Sequence, residues 1–452
     1  VTGKINQWFR VQEAGTTVSR EVRAGVTTFL AMAYILVVNP QILSPAIIIP
    51  GVADVSAQLV SATAIAAALG SILMGIMAGL PVALAPGMGL NAYFTYSAVL
   101  GQGLSWQTAL GAVFVSGVVF LILTISGIRE AIINAIPLSI KRASSAGIGM
   151  FLALIGLQSG GLVRQNATTM IGLGDLTSPG ALLAILGLVV TAALLVRKVP
   201  GAILIGIFMI SAITVVGAIP VYDGKAFSGF ENGIVSWPVW PRDLFGAFNL
   251  RGALDLSVFG VVFTFLFIAF FDTAGTLIGL SEVAKFSDQE GRVPRASQAF
   301  AADAAATTLG AVIGTSTTTV YMESAAGIED GGRTGLVAVV TGILFLLSLF
   351  FWPLASAVPT AATAPALIIL GAMLMEPLAR IAWKDLSEAI PAFVTMIMMP
   401  LTFSIANGIS LGVFSYVTVA LLSKKSQKIH PVMYGILVVL VLKYVWLAAK
   451  HS

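Results

Sequence analysis

The feature that most constrains this chain is a succession of apolar runs long enough to cross a bilayer. Runs of roughly 17–25 residues, the length a spanning helix needs, fall at about 22–42, 57–79, 106–126, 145–161, 180–196 and 200–219, then at 256–281, 296–313, 334–353, 361–376, 387–404 and 407–423. Two further crossings are broken rather than continuous, Pro81 to Leu100 and Gly314 to Gly335, which brings the expected number to fourteen. Of the 452 residues 58% are hydrophobic and only 10% charged, where soluble domains carry about 25% charged residues. The class is therefore an all-α polytopic membrane protein whose first partner is the lipid bilayer.

The charges report orientation. A net charge of +4 is no signature of a nucleic-acid partner. With the N-terminus inside, eighteen of the 24 lysines and arginines collect on the cytoplasmic side, and Arg164, Lys225, Arg242 and Arg251 on the other. That is the positive-inside pattern, and it predicts a multi-pass protein of the cell membrane with a cytoplasmic N-terminus. The opening residues hold no signal-peptide core. A last apolar piece, 432–448, is short and carries Lys443, so it is expected to lie in the interface rather than span.

Much chemistry is excluded by what the sequence lacks. It has no cysteine, and its two histidines, His430 and His451, stand in the tail. Thiol catalysis, His/Cys metal sites and most acid–base triads are thereby ruled out, and no cofactor or metal is implied. No Walker motif is present, so transport would be secondary, driven by an ion gradient.

The polar residues at membrane depth are few. In Gly314 to Gly335 a hydroxyl run, Thr315 to Thr319, precedes a lone carboxylate, Glu323, and then glycines. The run suits an extended segment, and Glu323-Ser324-Ala-Ala-Gly suits the first turns of a short helix. A strand feeding a half-helix leaves backbone groups that only protein or a cavity can satisfy, and such breaks mark substrate sites in transporters. Glu323 on that first turn would sit where free N–H groups and the helix dipole favour an acceptor. Glu329 and Asp330, beside Gly331-Gly332-Arg333, are ordinary loop acids. Asp272 follows the apolar run Val261 to Phe271; a carboxylate near a helix centre costs at least ~2.5 kcal/mol on insertion scales, so it must face a cavity or a partner. Thr276, one turn on, shares its face. In the other break Pro86, Gly87 and Gly89 interrupt a helix, and Asn91 falls on the first turn of the next; its amide donates and accepts at once. The Gly87-x-Gly89-x-x-Ala92 pattern follows no soluble βαβ unit and is not a dinucleotide fingerprint. Asn39-Pro40 reads most simply as the end of the first helix.

Seven crossings per half imply an inverted repeat, since an odd number flips the second copy. Thr28-Phe-Leu-Ala-Met-Ala33 in the first crossing echoes Thr264-Phe-Leu-Phe-Ile-Ala269 in the eighth, and each broken crossing is third in its half.

Four stretches then resemble one family: Arg23-Ala-Gly-Val-Thr-Thr-Phe-Leu-Ala-Met-Ala-Tyr-Ile-Leu-Val-Val-Asn-Pro40, Ala85-Pro-Gly-Met-Gly-Leu-Asn-Ala-Tyr-Phe94, Phe271-Asp-Thr-Ala-Gly-Thr-Leu-Ile-Gly279 and Gly314-Thr-Ser-Thr-Thr-Thr-Val-Tyr-Met-Glu-Ser-Ala-Ala-Gly-Ile328. They are similar to the AzgA-like purine permeases, a branch of the nucleobase–ascorbate transporter superfamily, in the same order over nearly the whole chain. The resemblance implies a seven-plus-seven inverted repeat with strand-broken crossings, often dimeric through its gate. It implies a core domain of 1–128 and 256–354 and a gate domain of 129–255 and 355–452. Carried over residue by residue, Asp272 and Glu323 match the binding carboxylates and Asn91 the polar contact of the third crossing, with Thr276, Ser324 and Met322 beside them. Uracil permeases of the superfamily have a histidine where this chain has Thr276, a departure that fits the purine branch.

The expected function is uptake of hypoxanthine, guanine or adenine coupled to protons, sodium being the other candidate ion. Asp272 and Glu323 are the proton-coupling candidates, and a homodimeric protein would work by rocking or elevator-like alternating access. Two other classes are alternatives. An anion transporter or channel of this fold would want a positive or neutral site. An integral-membrane enzyme would use paired carboxylates for acid–base work.

Overall fold

Helix starts in this chain follow the supply of oxygen acceptors for the free N–H groups of a first turn. Thr17 accepts from the Arg20 N–H and opens crossing 1; Ser178 with Pro179 opens crossing 6, and Ser404 opens crossing 14. Crossing 11 has a double start. Thr334 caps its own helix, while Glu21 of crossing 1, fully buried, accepts from the Arg333 N–H, the Thr334 N–H and the Thr334 hydroxyl at 2.9, 3.0 and 2.7 Å.

The computed structural model describes residues 2–52, 55–126, 137–166, 168–222, 224–230, 233–284, 294–423, 429–431, 433–435 and 437–438. Twelve crossings are helical. Crossing 1 is Val18–Met32 continued by Ile35–Leu43, and crossing 2 is Ser56–Leu73 with a π turn, Met74–Ala78. Crossings 4 to 7 are Trp106–Ser126, Leu138–Ser159, Pro179–Val196 and Ala202–Val216. Crossings 8 and 9 are Phe259–Ala284 and Ala296–Ile313; crossings 11 to 14 are Gly335–Ser356, Thr360–Met373, Leu386–Leu401 and Ile405–Leu422. Crossings 3 and 10 are the two broken ones. Most of the apolar tail at 432–448 lies outside the described residues.

Two details differ from the sequence reading. Crossing 1 is interrupted at Ala33–Tyr34, and Asn39 is not a helix end: Ile35–Leu43 runs straight through it with Pro40 inside. Pro40 stands in the interior of that helix and leaves the Leu36 carbonyl without its i+4 N–H donor.

The inverted repeat is visible in the packing. Numbering crossings so that each maps onto the one seven later, five packed pairs have their counterparts. Crossing 1 packs on 11 as 8 packs on 4, and 2 on 11 as 9 on 4. Likewise 6 packs on 12 as 13 on 5, 6 on 7 as 13 on 14, and 7 on 12 as 14 on 5. Two pairs, 2 with 9 and 5 with 12, map onto themselves and mark the pseudo-twofold axis.

At that axis the breaks meet. Strand β1 (Leu84–Pro86) of crossing 3 pairs antiparallel with β4 (Thr318–Val320) of crossing 10, in the register Leu84 to Val320, Ala85 to Thr319 and Pro86 to Thr318. Strands β2 (Val163–Asn166) and β3 (Met170–Leu173) form a separate hairpin between crossings 5 and 6.

Candidate functional site

A two-stranded ladder inside a membrane protein must have its outer edges satisfied by side chains, since no water or third strand does so. Here hydroxyls do it. Ser71 of crossing 2 donates to the Leu84 carbonyl and accepts its N–H, at 2.9 and 3.0 Å. Thr307 of crossing 9 donates to the Thr318 carbonyl at 2.8 Å, and Ser324 accepts the Ala83 N–H at 3.0 Å. Beyond the strands the ladder continues through Tyr321 N–H to the Ala83 carbonyl and Gly87 N–H to the Thr317 carbonyl. Gly314, at φ 101°, supplies the left-handed turn that ends crossing 9 and aims the chain into β4.

After β4 a short turn reaches Glu323, the cap residue of the half-helix Ser324–Glu329. Its Oε1 accepts the phenol of Tyr34, which is fully buried at the interruption of crossing 1. The half-helix lies flat on crossing 1: a Cβ at Gly327 would stand 2.6 Å from the Ala24 carbonyl oxygen, an approach only glycine permits. At its far end Asp330 pairs with Arg23 at 2.9 Å and accepts from Thr27 at 3.0 Å. Glu329, as expected, is exposed.

Asp272 sits half-buried on crossing 8 and accepts the Thr319 hydroxyl of β4 at 3.1 Å. Thr319 in turn lies 3.2 Å from Thr273 Oγ1, and Thr273 donates to Asp303 Oδ2 of crossing 9 at 2.7 Å. Two carboxyl groups are thus linked through two hydroxyls, whose two protons fill only two of the three links, so a proton on one carboxyl completes the chain. Asp303 is 0% exposed, and its other oxygen has no partner among the described residues.

Asn91 stands on the half-helix Met88–Ala92 that follows β1 and runs on into a π turn, Tyr93–Val99. It is 0% exposed, and its amide N–H donates to Asn39 Oδ1 at 2.5 Å. Asn39 donates to Thr63 of crossing 2 at 2.7 Å and to Thr315 of crossing 10 at 3.1 Å. One amide pair therefore ties crossings 1, 2, 3 and 10 together.

The remaining candidates divide. Thr276 is half-buried one turn beyond Asp272 on crossing 8. Met322 is 42% exposed, with its thioether end against Gly279 of crossing 8. Ser324 is buried and committed to the Ala83 N–H, which makes it a strut of the ladder. Tyr321 is packed and donates to the Pro86 carbonyl at 2.5 Å. Among the described residues no group of three or more His, Cys, Asp and Glu is placed to hold a metal.

Three residues escaped the sequence reading. Asp303 was legible, as a carboxylate in the apolar run Ala299 to Ala306, by the rule that picked out Asp272. Tyr34 and Asn39 gave no such signal, because their partners are distant in sequence. Chemically, the arrangement offers hydrogen-bond acceptors from three crossings around the strand junction: Asp272 from crossing 8, Glu323 from crossing 10 and the Asn91 amide oxygen from crossing 3. A flat ligand rich in N–H donors matches such a set.

Comparison with known proteins bears on this geometry. The permease family model (Xan_ur_permease) matches residues 19–411. The chain is 44% identical to the guanine/hypoxanthine permease PbuG of Bacillus subtilis, over 98% of this chain and 100% of that one. It is 42% identical to the adenine permease AdeP of Escherichia coli, over 99% and 97%. Such relatives are transporters, not enzymes. In fold the chain is similar to the transmembrane domain of the cyanobacterial bicarbonate transporter BicA, with TM-score 0.64, 12% identity and coverage of 86% and 97%, a seven-plus-seven inverted repeat.

Proposed function

The chain belongs to the permease family, in the purine-permease branch of the nucleobase–ascorbate transporter superfamily, and from that membership we propose that it carries purine nucleobases across the cell membrane, coupled to protons. The observation that carries this reading is Glu323 standing just after β4, where two half-crossings meet, with Asp272 of crossing 8 bonded to Thr319 of the same strand and Asn91 on the half-helix that follows the paired strand β1. In this reading Glu323 and Asn91 bind the base edge, and Thr276 and Met322 flank it. Asp272, joined through Thr319 and Thr273 to Asp303, takes the proton. A donor-rich edge such as that of guanine or hypoxanthine suits this acceptor set, and adenine offers its amine to it.

The mirrored packing supports reading 1–128 with 256–354 as a core that carries the base, and 129–255 with 355–452 as a gate on which it moves; two copies associating through that gate is part of the same proposal. The N-terminus is then cytoplasmic, as the lysine and arginine distribution supports.

The test is uptake of radiolabelled guanine, hypoxanthine and adenine into proteoliposomes holding the full chain. An imposed proton gradient should drive accumulation, and Glu323→Gln should lower it at least about 100-fold, the upper range for losing a hydrogen bond to a charged group. Wild-type uptake in that variant would remove Glu323 from the site. Uptake that follows sodium and survives collapse of the proton gradient would replace the coupling ion.

A further inference from the structure

The buried amides of Asn39 and Asn91 leave one arrangement of donors and acceptors, and it can be read from one end. Thr63 of crossing 2 donates its only hydroxyl proton to the Leu59 carbonyl at 2.6 Å. Towards Asn39 it can therefore only accept, so the Asn39 atom 2.7 Å away is the amide nitrogen. That choice turns the Asn39 oxygen towards Asn91, whose nitrogen must face it, at 2.5 Å. The oxygen of Asn91 is what remains. It is buried, and no described residue donates to it. A buried acceptor left unpaired costs about 1–3 kcal/mol, a cost that an arriving N–H donor relieves.

We propose that Thr63 and Asn39 are positioning residues that fix the polarity of the Asn91 amide, so that Asn91 meets the base only as an acceptor and the base must present an N–H there. The inference rests on the purine-transport reading above and deepens it to a specificity rule: a bare ring nitrogen at that position meets a second acceptor and is refused. Neither positioning residue touches the base. Asn39 acts one hydrogen bond away from Asn91 and Thr63 two, from crossings with no place in the sequence-derived site. Thr315 also accepts from Asn39, at 3.1 Å. As a hydroxyl it can both accept and donate, so without Thr63 it can serve either polarity.

The experiment is competition against uptake in proteoliposomes by pairs of bases of which only one presents a given ring N–H. Hypoxanthine against adenine exchanges N–H for bare nitrogen at position 1, together with oxygen for amine at carbon 6; hypoxanthine against 7-methylhypoxanthine leaves position 9 bare and places a methyl on nitrogen 7, so each variant is judged by the change in its ratio from wild type. Wild type should discriminate within one pair by at least about 50-fold, since a site built to bond an N–H rejects its absence strongly. Thr63→Val should lower that same ratio to about tenfold and Asn39→Leu to about threefold, because the freed Asn91 amide can turn its nitrogen to the base; the other pair's ratio should stay put. A parallel loss of affinity for every base in both variants, or unchanged ratios in both, would overturn the proposal and leave the amides a structural tie. Thr63→Val is nearly isosteric, so it carries the test alone if Asn39→Leu fails to fold. Wild-type protein that binds no purine would instead overturn the transport reading.

Discussion

The two broken crossings share a backbone and differ in chemistry. Each leaves a helix, runs three residues as a strand, and restarts as a short helix. Crossing 3 fills this frame with Leu84-Ala85-Pro86 and a neutral amide at Asn91; crossing 10 fills it with threonines and the carboxylate of Glu323. Their neighbours repeat the contrast. Crossing 1 offers Tyr34 and Asn39, while its counterpart, crossing 8, offers Asp272 and Thr273. The inverted repeat has duplicated a scaffold and left the carboxylates around the strand junction, Asp272, Asp303 and Glu323, in one half only. A symmetric frame holding an asymmetric charge can bind one face of a ligand by charge and the other by shape and neutral bonds.

That contrast can be broken where its charge lies. Asp303→Asn should abolish accumulation against a gradient, by about 100-fold, the upper range for a hydrogen bond to a charged group, while exchange of labelled for unlabelled base stays near wild type; loss of both together would make Asp303 a structural anchor. Next comes the docking of the charged half-helix. Gly327→Val would drive a side chain into the Ala24 backbone and should cost about 1–3 kcal/mol, seen as a lower melting temperature of the detergent-purified protein. An unaltered melting point would mean the half-helix is not held where it lies. Tyr34→Phe removes a single hydrogen bond to Glu323, worth about 1 kcal/mol, and should raise the KM for uptake about fivefold with little change in maximal rate. On the neutral side the effects should shrink. Pro86→Ala leaves the Pro86 carbonyl available to Tyr321, and at most about 1 kcal/mol is expected from the change at a compatible position, with uptake nearly unchanged. If Pro86→Ala proved as damaging as Asp303→Asn, the division of labour between the crossings would fail.

The fold was legible because bilayer physics leaves few options. Apolar length marked twelve helices, and Pro86, Gly87 and Gly314 marked where two crossings could not remain helical. Glu323 was legible for the same reason, a carboxylate at depth beside a break. The pairing of β1 with β4 placed it further, joining residues more than two hundred positions apart that no periodicity connects. Tyr34 and Asn39 stayed hidden on similar grounds. A phenol and an amide in an apolar helix look like packing until the group they bond is seen, 289 and 52 positions away. Ser324 shows the converse: its place beside Glu323 suggests contact with a ligand, and the fold adds a second role that sequence does not announce, accepting the Ala83 N–H of the ladder.

The ladder between the breaks is made of main-chain atoms, from the Tyr321 N–H at one end to the Gly87 N–H at the other. Such a tie is indifferent to which side chains project from it. Point replacements around the junction can therefore exchange one cargo for another while the frame keeps its register, so selectivity is free to drift among descendants faster than architecture.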